Sequence, residues 1–200
     1  MPIRQKGKVS GSVRITGETA MKRYTVALSA VLGLCISPAF AQMGQMSSQA
    51  PPSNAEAIRQ QYNSVKSNLL KAADKMPDDG YTFKPTPEQR DFAGWIAHVA
   101  DAQTSGCSRA LGTPKTPSAA SKTSKADLVA ALKDSFDTCD AAYAALSDSN
   151  ANDPVQTFRG ATPRMAALAQ NVEHDNECYG TIAVYLRLKG IVPPSSEPRK

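Results

Sequence analysis

Histidine occurs only twice in these 200 residues, and cysteine only four times. Such scarcity leaves few side chains for acid–base or metal chemistry. No spacing suggests a Ser-His-Asp triad or a paired-carboxylate mechanism. Long apolar runs are also lacking. The longest, Val26 to Ile36, is about a dozen residues, where a spanning helix needs roughly 20. Clustered basic residues, the footprint expected of a nucleic-acid surface, are missing too, because Lys and Arg are interleaved with acids. No internal repeat and no alternating strand pattern is present.

The N-terminus carries a pattern of its own. Met21-Lys22-Arg23, the apolar run and Ser37-Pro38-Ala39-Phe40-Ala41-Gln42 form the positive, apolar and Ala-x-Ala parts of a secretory signal peptide. Cleavage after Ala41 is the leading expectation, and a retained N-terminal anchor is the alternative. Cys35 does not make a lipoprotein site, since Leu34 stands where a small residue is required. Residues 1–20 fit neither a signal nor a fold and are read as an upstream extension, with Met21 as the alternative start.

Removing the leader changes the charge. Of 23 Lys and Arg, six lie before the cleavage site, as does one of 18 Asp and Glu, leaving 17 of each sign. The basic balance therefore belongs to the export segment. The destination expected is the periplasm, with secretion beyond it as the alternative.

The mature part reads as helical. Residues 42–54, rich in Ser, Gln, Met and Pro, form an expected disordered spacer. Ile58, Tyr62, Val65, Leu69 and Ala73 recur at steps of three and four, predicting a helix from Ala55 to Lys75 capped by Asn54. A Pro-rich loop follows to Arg90, with Tyr81 and Phe83 expected against the core. A second helix is expected from Asp91 to Leu111, with Phe92, Trp95, Ile96, Val99, Ala102 and Cys107 inward and Gly112 ending it. A linker spans Thr113 to Thr123. Ser124 then caps a third helix to Leu146, with Leu128, Ala131, Leu132, Phe136, Cys139 and Tyr143 inward. Pro154 to Phe158 is expected extended. Thr162-Pro163 looks like the start of a fourth helix running to Lys189-Gly190, followed by a frayed tail from Val192. The fold class expected is all-α, a four-helix bundle over residues 55–191.

Both histidines fall on helices, His98 on the second and His174 on the fourth. His174 and Cys178, four residues apart, share one helix face. Imidazole nitrogen and thiolate sulfur both suit zinc and its neighbours. If His98 faces them, three protein ligands and one open position result. Taken by spacing alone, two hydrogen-bonded core histidines and a small buried thiol are the commoner outcome.

Several segments carry a family resemblance. They are Met76-Pro77 with Tyr81-Thr82-Phe83-Lys84-Pro85-Thr86-Pro87, then His98-Val99-Ala100-Asp101-Ala102, His174-Asp175-Asn176-Glu177-Cys178-Tyr179-Gly180, and Tyr185-Leu186-Arg187-Leu188-Lys189-Gly190-Ile191-Val192-Pro193-Pro194. In this order they resemble the DinB-like superfamily of four-helix-bundle metalloproteins. The resemblance implies a triad of three histidines, one from the second helix and two, four apart, from the fourth. His98 and His174 match two of these, and Cys178 stands where the third histidine belongs. It further implies a divalent metal, zinc or nickel, and thiol-dependent transfer or isomerisation with a small-molecule thiol or other small ligand as partner.

Asp101, one turn after His98, is a candidate to orient that imidazole, with an exposed carboxylate as the alternative. If the metal site is not kept, Asp175 and Glu177 belong to a solvated helix face. Cys107 and Cys139 fall on inward stripes of neighbouring helices and are a candidate disulfide, against two reduced thiols. Tyr179 is the favoured lining of a ligand pocket, and Trp95 is assigned to the core. No nucleic acid is expected, membrane contact comes only through the signal segment, and a homodimer is compatible with the sequence.

Overall fold

The computed structural model describes residues 50–198. The expected upstream extension, the signal peptide and most of the expected spacer lie outside the described residues. Four helices form the frame: α1 Asn54–Lys75, α2 Phe92–Ala110, α3 Lys125–Ala144 and α4 Arg164–Leu188. Each packs on two others. Both α1 and α2 contact α3 and α4.

Capping explains where the helices begin. Ser53, not Asn54, caps α1, its hydroxyl accepting from the Glu56 amide at 3.3 Å. The Asp91 carboxylate accepts from Gly94 N at 2.7 Å to start α2. The Ser124 hydroxyl accepts from Asp127 N at 3.1 Å to start α3. At α4 the expected Thr162 cap is absent. Here the preceding loop supplies the acceptors, Asp153 O for Arg164 N and Ala151 O for Met165 N, both at 2.9 Å. Gly112 and Gly190 follow α2 and α4 with φ of 75° and 74°, left-handed geometry that glycine adopts without steric cost.

The core runs along helical stripes. On α1 it takes Tyr62, Val65, Leu69 and Ala73; on α3 it takes Leu128, Leu132, Phe136, Cys139 and Tyr143, all buried. Ile58, Trp95, Ala131 and Phe83 are only partly buried against it. Tyr81 is buried and donates to Ala73 O at 2.8 Å. Cys107 of α2 and Cys139 of α3 are joined by a disulfide, with Cα atoms 4.9 Å apart, and Cys178 is the remaining free cysteine of the described residues.

Three segments differ from expectation. Pro154–Thr157 is extended as expected (β1), but Thr162 and Pro163 belong to a second strand, β2 Gly160–Pro163, paired antiparallel with it in a hairpin, rather than to the start of the helix. Gly160, at φ 96°, lets the chain reverse after Phe158 and Arg159. The linker holds a 3-10 turn, Ala119–Ser121, whose amides are taken up by Asp101. The tail is docked rather than frayed: Pro193 and Pro194 are buried, and Lys75 Nζ donates to Val192 O at 3.0 Å.

Candidate metal centre

Because α2 packs on α4, residues 76 positions apart meet. His98 Nε2 and His174 Nε2 are 3.1 Å apart, with their rings tilted at 65°. Cys178 Sγ lies 3.6 Å from His174 Nε2. The three ligand atoms all fall within 4.8 Å of one another, a group able to hold a metal ion. Zinc bonds of roughly 2.0–2.1 Å to nitrogen and 2.3 Å to sulfur, set at tetrahedral angles, place two nitrogens about 3.3 Å apart and a nitrogen and sulfur about 3.6 Å apart. The observed separations are close to both. Thus the donor set fits a zinc-like ion in chemistry, and the two separations made by His174 fit it in spacing.

The surroundings treat the two imidazoles differently. His98 is half-buried and stands edge-on to Trp95, with ring centroids 5.8 Å apart. Burial and then the Arg90 charge push its pKa down, so its neutral, metal-binding form is favoured. His174 is pushed up to about 10, chiefly by the Asp175 carboxylate and then by the Cys178 sulfur. These groups favour positive charge at this ring, and a metal cation supplies it as a proton does.

Asp175 is fully buried, against the expectation of a solvated face. It occupies a core position of α4, in the stripe Leu168, Val172, Asp175, Tyr179, Ile182 and Leu186. Burial raises its pKa. One oxygen, Oδ2, accepts from Gln103 Nε2 at 2.9 Å. The other, Oδ1, has no hydrogen-bond partner and sits 3.8 Å from His174 Nδ1. That is too long for a hydrogen bond but short enough for an ion pair. A carboxylate that accepts from the far nitrogen is how metal-bound histidines are commonly oriented, and Asp175 Oδ1 stands near that position without reaching hydrogen-bond distance. The polar chain continues inward. Asn171 Nδ2 donates to Gln103 Oε1 at 2.9 Å, and the Tyr143 hydroxyl donates to Asn171 Oδ1 at 2.8 Å.

Asp101, expected to orient His98, is instead committed to backbone. Its Oδ1 accepts from Ala119 N at 2.7 Å and its Oδ2 from Ala120 N at 3.0 Å. Its effect on His98 is that of a nearby charge that favours the imidazolium. Tyr179 is not pocket lining. It is buried, and its hydroxyl donates to Ser195 Oγ and accepts from Ser195 N, each at 2.9 Å, fixing the tail. Conversely, Trp95 is only partly covered and borders a surface cleft with Pro85, Thr86 and Glu177. Its indole N–H donates to the Tyr185 hydroxyl at 3.0 Å.

The sequence alone put Asp175 on a solvated face and gave Gln103 no role. Both interrupt otherwise apolar stripes, Gln103 lying in the run Phe92, Ile96, Val99, Gln103, Cys107 and Ala110, all buried. A polar residue at such a position was the available signal.

Solved structures share this fold. A DinB-like protein from Bacillus cereus ATCC 10987 superposes with a TM-score of 0.61 at 16% identity, over 70% of this chain and 95% of that one. A DinB-like protein from Bacillus subtilis gives 0.58 at 17% identity, over 72% of this chain and 99% of the other. Comparison with curated proteins gave no match. The model of the DinB superfamily matches residues 61–182, a span that runs from α1 through most of α4 and contains all three ligand positions. With most of its length so matched, the chain belongs to the DinB superfamily.

Proposed function

We propose that this is an exported divalent-metal protein in which His98, His174 and Cys178 hold zinc or nickel and which catalyses a transferase-type reaction of a small thiol. The observation that carries this reading is the convergence of the three donor atoms within 4.8 Å of one another, with His174 Nε2 3.1 Å from His98 Nε2 and 3.6 Å from Cys178 Sγ. A divalent ion held there lowers the pKa of a bound thiol or water, providing a nucleophile near neutral pH. His98 contributes a neutral nitrogen, and Cys178 a sulfur softer than the histidine the family carries. Asp175 steadies His174 from behind, and Gln103 holds Asp175. Three protein ligands leave a fourth position for substrate.

Export to the periplasm rests on the leader pattern. The Cys107–Cys139 bridge supports it, since disulfides persist in oxidising compartments. Metal analysis of protein purified without a chelating tag tests the core of the proposal. About one ion per chain, lost in His98→Ala, is expected; no metal even after reconstitution refutes it.

One observation favours a second reading, a non-catalytic bundle. A separation of 3.1 Å between two imidazole nitrogens is also a hydrogen-bond distance, so a shared proton can close the site without an ion. In that case the protein has a structural role or binds a small ligand elsewhere.

A further inference from the structure

A cleft of about 250 Å³ opens beside His174, between α2, α4 and the hairpin. Its size, just under the range of drug-sized sites, suits a small molecule. Two cationic side chains, Arg109 and Arg159, line it, and no acidic residue does. Arg109 stacks its guanidinium over the Phe158 ring at 4.4 Å. Its Nε is buried with no partner, and it joins no ion pair of the described residues. Phe158, at the hairpin tip, is 76% exposed, an unusual position for a large apolar ring.

The helical walls carry small residues, Ala102, Gly106 and Ala167. Glycine inside a helix costs about 1 kcal/mol relative to alanine. Gly106 has no packing reason to be glycine, because a Cβ added there meets nothing within 4 Å. What the missing side chain preserves is open space in the cleft.

We propose that this cleft is the substrate subsite of the metal centre and takes a small organic carboxylate. Its charged end is held by Arg109 and its apolar body lies against Phe158, Ala102 and Gly106, so that it reaches His174. The placement beside the metal centre rests on the function proposed above; the carboxylate site itself does not.

The test therefore uses the full chain stripped of metal, titrated near neutral pH with phenylacetate and with its neutral isostere phenylacetamide, followed by calorimetry or NMR shifts. The carboxylate is expected to bind about tenfold or more tightly than the amide, the margin of one charge-assisted hydrogen bond. Arg109→Gln should cut that ratio severalfold, leaving only what Arg159 and His174 supply. Gly106→Leu should abolish binding of both probes without lowering Tm. Binding should persist in His98→Ala, so a failed metal site would leave this result intact. Equal affinity for the two probes, no binding of either, or a carboxylate preference that Arg109→Gln leaves unchanged would overturn the subsite.

Discussion

The bridge between Cys107 and Cys139 permits a quantitative forecast. It closes a loop of 32 residues between α2 and α3. Chain-entropy arguments give a loss of about 12 cal/mol/K in the unfolded ensemble for such a loop, or about 3.7 kcal/mol at 25 °C. The native state keeps both sulfurs buried in the core, so reduction returns this entropy to the unfolded chain and gains nothing in the fold. For a chain of this size the loss corresponds to a fall in Tm of about 7–15 °C. Urea unfolding with a chelator present, with and without a phosphine reductant, measures it. The reduced protein should also show a steeper denaturant dependence, because its unfolded state exposes more surface. A thiol count on the denatured, unreduced chain from Gln42 onward, which lacks Cys35, comes first, with one thiol expected, that of Cys178. Three thiols would remove the premise, and a bridged protein losing less than about 1 kcal/mol on reduction would refute the loop argument.

Further expectations follow from the metal site. In the metal-free protein His174 and Asp175 both hold protons more tightly than their ordinary values. The stabilisation from His174 is complete below about pH 6.5 and is lost as pH rises towards about 10. Tm of the chelated protein should therefore fall across that window, and a flat or rising profile would count against the His174–Asp175 pairing. Metal binding must displace the His174 proton, so affinity should climb through the same window in competition titrations. Gln103→Leu takes away the hydrogen bond to Asp175 Oδ2 and should cost about 3 kcal/mol by chemical denaturation, since a buried charged group loses its partner; an unchanged midpoint would mean that Asp175 is not charged. In cobalt-substituted protein, Cys178→Ser should abolish the sulfur-to-metal charge-transfer band, and its persistence would exclude Cys178 as a ligand.

Local signals made much of the bundle readable. The cap Ser124, the start of α2 at Asp91, the left-handed glycines after α2 and α4, and the inward stripes are set by residues within a turn or two of one another. Contacts formed only by the assembled fold were not readable in this way. Asp101 meets Ala119 through the linker's return path. Tyr179 meets Ser195 only because the tail doubles back, and prolines near a chain end look like fraying until their partners are known. The hairpin escaped because its strands are four residues each, too short to show alternation. At the site, His174 and Cys178 were visible as a same-face pair, and His98 became their companion through family resemblance. Asp175 was hidden because an acidic residue in a helix is normally solvated, and only its position in the apolar stripe argued otherwise.

The ligand geometry also ties ion capture to assembly. An unfolded chain can bring His174 and Cys178 together within one helical turn, but His98 lies 76 positions away and joins them only once α2 has seated on α4. A two-donor grip is weak and a three-donor grip much stronger, so tight binding works as a gauge of correct helix docking. If the proposed ion is bound, any variant that loosens that seam, however far from the donors, should release it before losing its helices.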